Sequence, residues 1–358
     1  MQTQNTKPKF NGQKFFISID VHKKNWKVTI RVNHTELKTF SMNPSPEELI
    51  KFLTENYPGG EYNIVYESGF CGYWINKALT KGGVKCIIVN ASDVPTKSKE
   101  KITKSDVVDS RKLARELENG TLKGIYIPEE IEEQIRTLSR LRYQLANHGA
   151  ALKNRIKGLL NYYGERIPEN YELKNWSKRF IEYLSNKALN SKTISKVSLN
   201  FLIAELRDNQ ARIKEVLKQM ALYSKQYGYD TTIKNLTSVP GVSMITAMTI
   251  YSEIMNINRF QGLDELASFV GLVPAVYSSG EKEKVLGLSV RHNQYLRYML
   301  IESAWVAIRK DPALTLKYSE LIRRMSKQEA IIRIAKKLLN RIRFVWKNNI
   351  PYSFSLVA

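Results

Sequence analysis

Four carboxylates in the first third of the chain could do metal chemistry. Asp20 ends the apolar run Phe15-Phe16-Ile17-Ser18-Ile19, and Glu67 ends a second run, Ile64-Val65-Tyr66. Asp106 and Asp109 follow as a pair spaced i,i+3, which places both on one face of the helix that opens at Lys104-Ser105. Carboxylates brought together from separate elements can hold two hard divalent cations about 4 Å apart, an arrangement that stabilises the attacking and leaving oxygens in phosphodiester cleavage. An acid after an apolar strand is common, and acids in a first helical turn complement the helix dipole; what points to a site is the set of four in this order. His22 reads as a polar loop residue beside it, and Cys71 and Cys86 as small apolar packing residues.

These acids require strands that carry them to one edge. Residues 15–20 read as a buried strand, and Trp26, Val28, Ile30 and Val32 alternate at period two as its hairpin partner. A polar stretch with Pro44 and Pro46 leads to a helix over 47–56. The strand 64–67, a helix over 73–80, Gly82-Gly83 and a strand over 84–89 complete an α/β pattern, in which sites collect at the C-terminal ends of strands. Strand-Asp, strand-Glu and helical Asp-x-x-Asp, in that order, suit an RNase H-like core.

From Glu129 the period changes. Ile131, Ile135, Leu138, Leu145, Leu152, Ile156 and Leu159 repeat in steps of three and four, with Arg142 and Gly149 interrupting the same register. Gly164 and Pro168 break this helix, and a second carries Leu199, Leu202, Leu206, Ile213, Val216 and Met220. The pair is expected to form an antiparallel coiled-coil arm. The third region begins near Thr231 and includes a helix over 244–254.

Composition narrows the partners. The 358 residues include 56 Lys and Arg against 34 Asp and Glu, a formal charge of +22, which favours polyanions such as nucleic acid or an anionic membrane surface. Basic charge concentrates late: residues 281–350 hold 16 basic and 6 acidic groups, and the last thirty of these hold nine and one. No apolar run is long enough to span a bilayer, the terminus MQTQNTKPKF lacks a secretory apolar region, and two cysteines exclude a disulfide scaffold or a four-thiolate zinc site. A cytoplasmic protein, nucleoid-associated when acting, is expected. Among the basic residues, Arg140, Arg155 and Lys157 in the arm and Arg333, Lys337 and Arg341 near the C-terminus are candidates for phosphate contact. Phe344 and Trp346 could stack on unpaired bases or pack in the core.

Three blocks, Ile19-Asp20-Val21-His22-Lys23, Tyr66-Glu67-Ser68-Gly69 and Lys104-Ser105-Asp106-Val107-Val108-Asp109-Ser110-Arg111-Lys112-Leu113-Ala114, carry a resemblance. They are similar to the strand-one Asp, the E-[AS]-[ST]-G block and the K-[ST]-D-x-x-D-[AS]-R block of DEDD-type insertion-sequence transposases guided by a bridge RNA. That family also contains the Piv-type DNA invertases. Far downstream, Phe269-Val270-Gly271-Leu272-Val273-Pro274, Tyr277-Ser278-Ser279-Gly280, Gly287-Leu288-Ser289 and Asn293-Gln294-Tyr295-Leu296-Arg297 resemble its second, transposase-specific domain.

The resemblance implies a RuvC-like (RNase H-like) catalytic domain over 15–126, after a disordered 1–14. It further implies a helical arm over 127–230, a mainly α-helical transposase domain with a helix-hairpin-helix-like element over 231–350, and a tail over 351–358. Asp20, Glu67, Asp106 and Asp109 match the metal tetrad, so Mg²⁺ is expected, two ions per site, with Mn²⁺ able to substitute. Ser279 matches the serine nucleophile, and adjacent Ser278 stays open as the alternative. Partners would be donor and target DNA, a bridge RNA, and further copies of the chain, as a dimer or tetramer through the arm; no membrane is expected. Two positions depart from the pattern: Ser243 and Glu281 stand where the family has glycine, so residue 243 must avoid positive φ. The competing expectations are a RuvC-like nuclease or site-specific invertase that needs no guide RNA, and a non-catalytic nucleic-acid-binding protein.

Overall fold

The computed structural model describes residues 10–97, 105–168, 176–190, 195–279 and 282–354. The chain divides into two compact units, Met1–Ile127 and Pro128–Ala358.

The first unit is built on one five-stranded sheet. Its strands are β1 (Lys14–Val21), β2 (Trp26–Val32), β3 (Thr35–Met42), β4 (Glu61–Glu67) and β5 (Lys85–Val89), in the spatial order β3-β2-β1-β4-β5. β2 runs antiparallel to both neighbours, whereas β1, β4 and β5 are parallel. Helices α1 (Pro46–Asn56), α2 (Trp74–Lys81) and α3 (Asp106–Glu118) cover it. Ile17, Ile19, Val28 and Ile30 share a core with Leu49, Leu53, Ile75 and Leu79 of α1 and α2. Val65 and Val89 instead pack with Leu113 of α3. Because strand side chains alternate, odd-numbered residues of β1 face α1 and α2, and even-numbered ones lie on the α3 side.

Two expectations change here. The polar stretch after Val32 forms β3, an edge strand without a fully buried residue, so no apolar alternation marked it. Its hairpin turns on Asn33 (φ +46°) and His34 (φ +63°), two positive values that a two-residue turn requires and that Asn-Gly usually supplies. Residues 10–14, expected to be disordered, are held: the Phe10 ring packs edge-on against Phe15 and Tyr57, and its N–H donates to the Pro58 carbonyl. The rest of that expected disorder, residues 1–9, lies outside the described residues.

Among the described residues, the second unit is helical apart from one hairpin. Two long helices, α4 (Glu130–Tyr162) and α6 (Lys196–Gln226), lie side by side, with α5 (Lys178–Asn190) packed on them. Ile135 early in α4 clusters with Val216 and Met220 late in α6, while Leu152 and Ile156 cluster with Leu199 and Ile203, so the pair is antiparallel. At the crossing, Gly149 meets Asn209, whose amide donates to the Leu145 carbonyl at 3.1 Å. A Cβ on Gly149 would come within 2.7 Å of that amide, which explains the glycine in an otherwise apolar register.

Helices α7 (Asp230–Thr237), α8 (Met244–Ile254), α9 (Leu263–Val270), α10 (Gln294–Ala307), α11 (Pro312–Ile322) and α12 (Lys327–Asn348) enclose the main core of this unit. Between α7 and α8, Gly241 takes φ +88°, and a Cβ there would stand 2.3 Å from the Ser303 carbonyl. Ser243 has φ −82° and caps α8, accepting from the Thr246 N–H at 3.1 Å. The missing glycine at 243 therefore costs no backbone strain. Among the described residues, no helix is long and apolar enough to cross a membrane.

Candidate active site

The first unit positions the acids by strand alternation. Ser18 and Asp20 lie on the α3 side of β1, and Val65 and Glu67 on the same side of parallel β4. The register pairs Ser18 with Val65 and Ile19 with Tyr66, so Asp20 and Glu67 occupy matching positions at the C-terminal ends of adjacent strands. The third contribution comes from α3. Ser105 caps it, its Oγ accepting from the Val108 N–H at 3.3 Å, so Asp106 opens the helix and Asp109 sits one turn in.

α3 comes close to the sheet because its contact residue there is small. Ser110 is fully buried and its Oγ lies 2.9 Å from both Ser18 Oγ and Thr29 Oγ1, while Ser18 Oγ donates to the Ser110 carbonyl at 2.6 Å. Three short hydroxyl side chains thus satisfy one another where larger residues would push the helix outward. The far end of α3 is tied by Arg31 to Glu118 at 2.8 Å, and Arg111 pairs with Glu36 of β3 at 2.9 Å. The sequence pattern marked neither Ser110 nor Ser18 as positioning residues. The signal available was a hydroxyl on an otherwise apolar buried strand.

His22 occupies the centre. Its N–H donates to the Asn25 carbonyl across the β1–β2 turn, and its Nε2 lies 3.3 Å from Asp20 Oδ2 and 3.3 Å from Asp106 Oδ2. His22 is an exposed polar residue of the β1–β2 loop, as expected, and the tight turn sets its imidazole between the two carboxylates. Burial raises the Asp20 carboxyl above its usual range, the nearby charges of Asp106 and Asp109 add to the rise, and His22 opposes it. Asp109 also pairs with Lys112 at 3.1 Å.

Asp20, His22 and Asp106 each offer one ligand atom, all within 4.8 Å of one another. Two carboxylate oxygens and an imidazole nitrogen suit a divalent cation, and a bound cation would favour the ionised form of a carboxyl that burial holds back.

Ser278 and Ser279 belong to the second unit. They end β6 (Pro274–Ser279), which pairs with β7 (Lys282–Leu288) so that Ser278 opposes Glu283 and Ser279 opposes Lys282. Both serines therefore lie in a strand. Gly280 and Glu281 lie outside the described residues, as does Lys104.

The basic candidates separate. Arg155, Arg333 and Lys337 are exposed and Lys157 is half-buried. Arg140 instead grips the buried Glu253 with both ends of its guanidinium, Nε to Oε1 at 2.7 Å and Nη2 to Oε2 at 2.9 Å. Arg341 pairs with buried Asp311, which also accepts from the Tyr352 hydroxyl at 2.7 Å. Phe344 is exposed, and Trp346 is half-buried against Tyr251.

A carboxylate site at the strand ends of a mixed α/β sheet, followed by a helical unit, is the layout of a DEDD transposase. Comparison with known proteins agrees: residues 17–164 match the IS110-type DEDD model described as "Transposase", and residues 233–319 match the model described as "Transposase IS116/IS110/IS902 family". Over these two stretches the chain is similar to IS110-type DEDD transposases. It is 29% identical over 245 residues to "Transposase for insertion sequence element IS1111A" of Coxiella burnetii, covering 66% of this chain and 65% of that one. The y4qE protein of Sinorhizobium fredii is 25% identical, covering 67% of this chain and 57% of its own length. "Transposase for insertion sequence element IS1533" of Leptospira borgpetersenii is 24% identical, covering 70% and 72%. The chain thus spans 65% and 57% of the length of the first two relatives.

Proposed function

We propose that the chain is a transposase that cuts and rejoins DNA at the ends of an insertion sequence, using the acidic site of the first unit and Ser279 of the second. The observation that carries this reading is the meeting of Asp20 and Asp106 around His22 at the strand ends, in a chain similar to IS110-type DEDD transposases. The sheet order β3-β2-β1-β4-β5, with only β2 reversed, supports a RuvC-like (RNase H-like) assignment for residues 15–126. The antiparallel pair α4 and α6 supports a coiled-coil arm over 127–230 through which a dimer or tetramer would form.

Asp20, Glu67, Asp106 and Asp109 would hold the divalent cation, Mg²⁺ in this reading and two per site. When bound, it supplies charge neutralisation at the phosphate and lowers the pKa of a hydroxyl beside it. His22 lies where it can add a nitrogen ligand beside the two acids. Ser279 is the nucleophile: its oxygen bonds to phosphorus as a deoxyribose oxygen leaves and takes up a proton. A serine hydroxyl is a weak nucleophile until it is activated, which is why serine and acids belong to one reaction. The phosphoserine bond conserves the energy of the phosphodiester, so strands can exchange and reseal without another energy source. Exposed Arg155, Arg333 and Lys337, with Lys157, are suited to phosphate contact along DNA or a guide (bridge) RNA. The reaction would take place in a prokaryotic cytoplasm, at the nucleoid.

The test is a covalent-adduct assay with Mg²⁺, RNA transcribed from the element's flanks and a labelled donor–target pair, resolved on a denaturing gel. A band present in the wild type and lost in both Ser279→Ala and Asp106→Ala is expected. Loss only in Ser278→Ala moves the nucleophile by one residue. An adduct formed equally without RNA favours a site-specific invertase, and metal-dependent cleavage with no adduct favours a RuvC-like nuclease.

A further inference from the structure

The second unit carries a cleft of about 540 Å³ bordered by Trp346, Lys347, Glu132, Thr231, Asn256 and Asn258. Its aromatic wall is the end of a stack. Tyr229 and Tyr251 lie 4.3 Å apart at 9°, and Tyr251 and Trp346 lie 5.4 Å apart at 22°. The first two rings stand behind Trp346 and do not border the cleft, so Trp346 is the ring presented to it.

Another part of the rim is a strained turn. Met255 takes φ +60°, ψ −62°, and the Asn256 N–H donates to the Ile254 carbonyl at 2.7 Å, a one-residue turn of the rarer hand. Such a backbone persists only where its surroundings hold it. Arg136 supplies that hold, from Nε to the Ser252 carbonyl at 3.2 Å and from Nη2 to the Met255 sulfur at 3.2 Å, and Arg259 Nε donates to the Ile254 carbonyl at 3.2 Å. The reversal leaves Asn256 and Asn258 exposed on the rim. The Asn256 Oδ1 accepts from the Asn258 N–H at 2.9 Å, which fixes one carboxamide and directs its NH₂ away from that bond.

A flat aromatic face, carboxamides that match the paired donor and acceptor of a base edge, and one lysine for the adjoining phosphate are the groups that recognise an unpaired nucleobase. We propose that this cleft binds one unstacked base of a single-stranded segment, with Trp346 stacking on it, the asparagines reading its edge and Lys347 meeting the backbone. The proposal rests on the reading of the chain as a nucleic-acid-processing protein, and it adds a place where strand distortion is recognised apart from the chemistry.

The test measures binding of the full chain to fluorescently labelled 12-mers without divalent metal. The probes are single-stranded DNA, single-stranded RNA, a blunt DNA duplex, and an abasic 12-mer with the same phosphates and no bases. Stacking of one base predicts that Trp346→Ala weakens binding of single strands roughly 5- to 150-fold while the duplex and abasic probes stay within about twofold, and that Trp346→Phe retains most affinity. Because Trp346 also packs on Tyr251, Asn258→Trp is the second variant: it fills the cleft from an exposed rim position and should cause the same selective loss. Losing affinity only for RNA, or only for DNA, supports the cleft and names its strand. Wild-type binding by Asn258→Trp, or equal losses on abasic and normal strands, overturns it. So does saturation by free AMP with 12-mer binding unchanged in both variants, which would make the cleft a nucleotide site. The adduct assay run on the same variants separates the two readings. A wild type that forms no adduct but loses single-strand binding in Asn258→Trp keeps the cleft and removes the recombination chemistry. An adduct-forming wild type with unaltered binding in both variants does the reverse.

Discussion

Arg140 offers a sharp test because sequence and geometry assign it opposite tasks. On the basic face of a long helix it is a natural phosphate contact. In the fold its guanidinium is committed to Glu253, whose side chain is only 1% exposed, and Glu253 Oε2 also accepts from the Asn293 amide at 2.8 Å. Asn293 in turn caps α10 through Oδ1, which accepts from the N–H groups of Tyr295 and Leu296, and the Arg140 guanidinium lies 4.9 Å from the Tyr295 ring centre. Replacing Arg140 by alanine strips a buried carboxylate of two charge-assisted hydrogen bonds and leaves Asn293. Breaking a buried pair from one side costs about 3–5 kcal/mol, which for a unit of this size lowers the melting temperature by about 6–20 °C. Glu253→Ala should cost less, because the Arg140 side chain is 41% exposed and can rehydrate. The double variant should recover part of the loss, with a coupling above about 1 kcal/mol. Thermal melts of the four proteins, with DNA affinity measured across salt concentrations, decide the matter. A phosphate contact would instead leave the melt unchanged and reduce the salt slope by about 0.9. An Arg140→Ala protein that melts within about 2 °C of wild type and shows that reduced slope would refute the structural role.

Ser110→Leu should overpack the contact between α3 and the sheet, destabilising the first unit by about 1–3 kcal/mol and weakening Mn²⁺ binding as Asp106 moves away from Asp20. Ser110→Ala should keep the metal at a cost of about 1 kcal/mol, so calorimetric Mn²⁺ titrations that do not separate the two variants contradict the positioning argument. The Tyr352 hydroxyl is raised to about 12, by burial and by its hydrogen bond to Asp311. Its neutral form is therefore favoured on folding: the contribution is complete below about pH 10 and is lost as pH rises through about 12. Denaturant melts should show the wild type losing more stability than Tyr352→Phe between those values, and parallel curves would sink the assignment.

The strands β1, β2, β4 and β5, and the two long helices were legible in the sequence. Each is written in local terms, an apolar run ending in an acid or a three–four repeat, and local terms survive folding. Strand β3 was not legible, because an edge strand with no buried face needs no apolar alternation. The β6–β7 hairpin was missed for a related reason: Ser278-Ser279-Gly280 carries turn chemistry, while its pairing with residues 282–288 lies in backbone hydrogen bonds that side-chain types do not record. The position of His22 depended on a turn that folds its ring between acids from two elements, and closeness of that kind is decided by chain geometry. Charge was the least informative residue property. Arg140 and Arg155 read alike along the helix, yet one neutralises a buried glutamate and the other faces water. Sequence by itself determined which groups the chain possesses and the local elements that carry them. Only the tertiary structure decided which of those groups meet, because burial and partnership are set by packing between segments far apart in the chain.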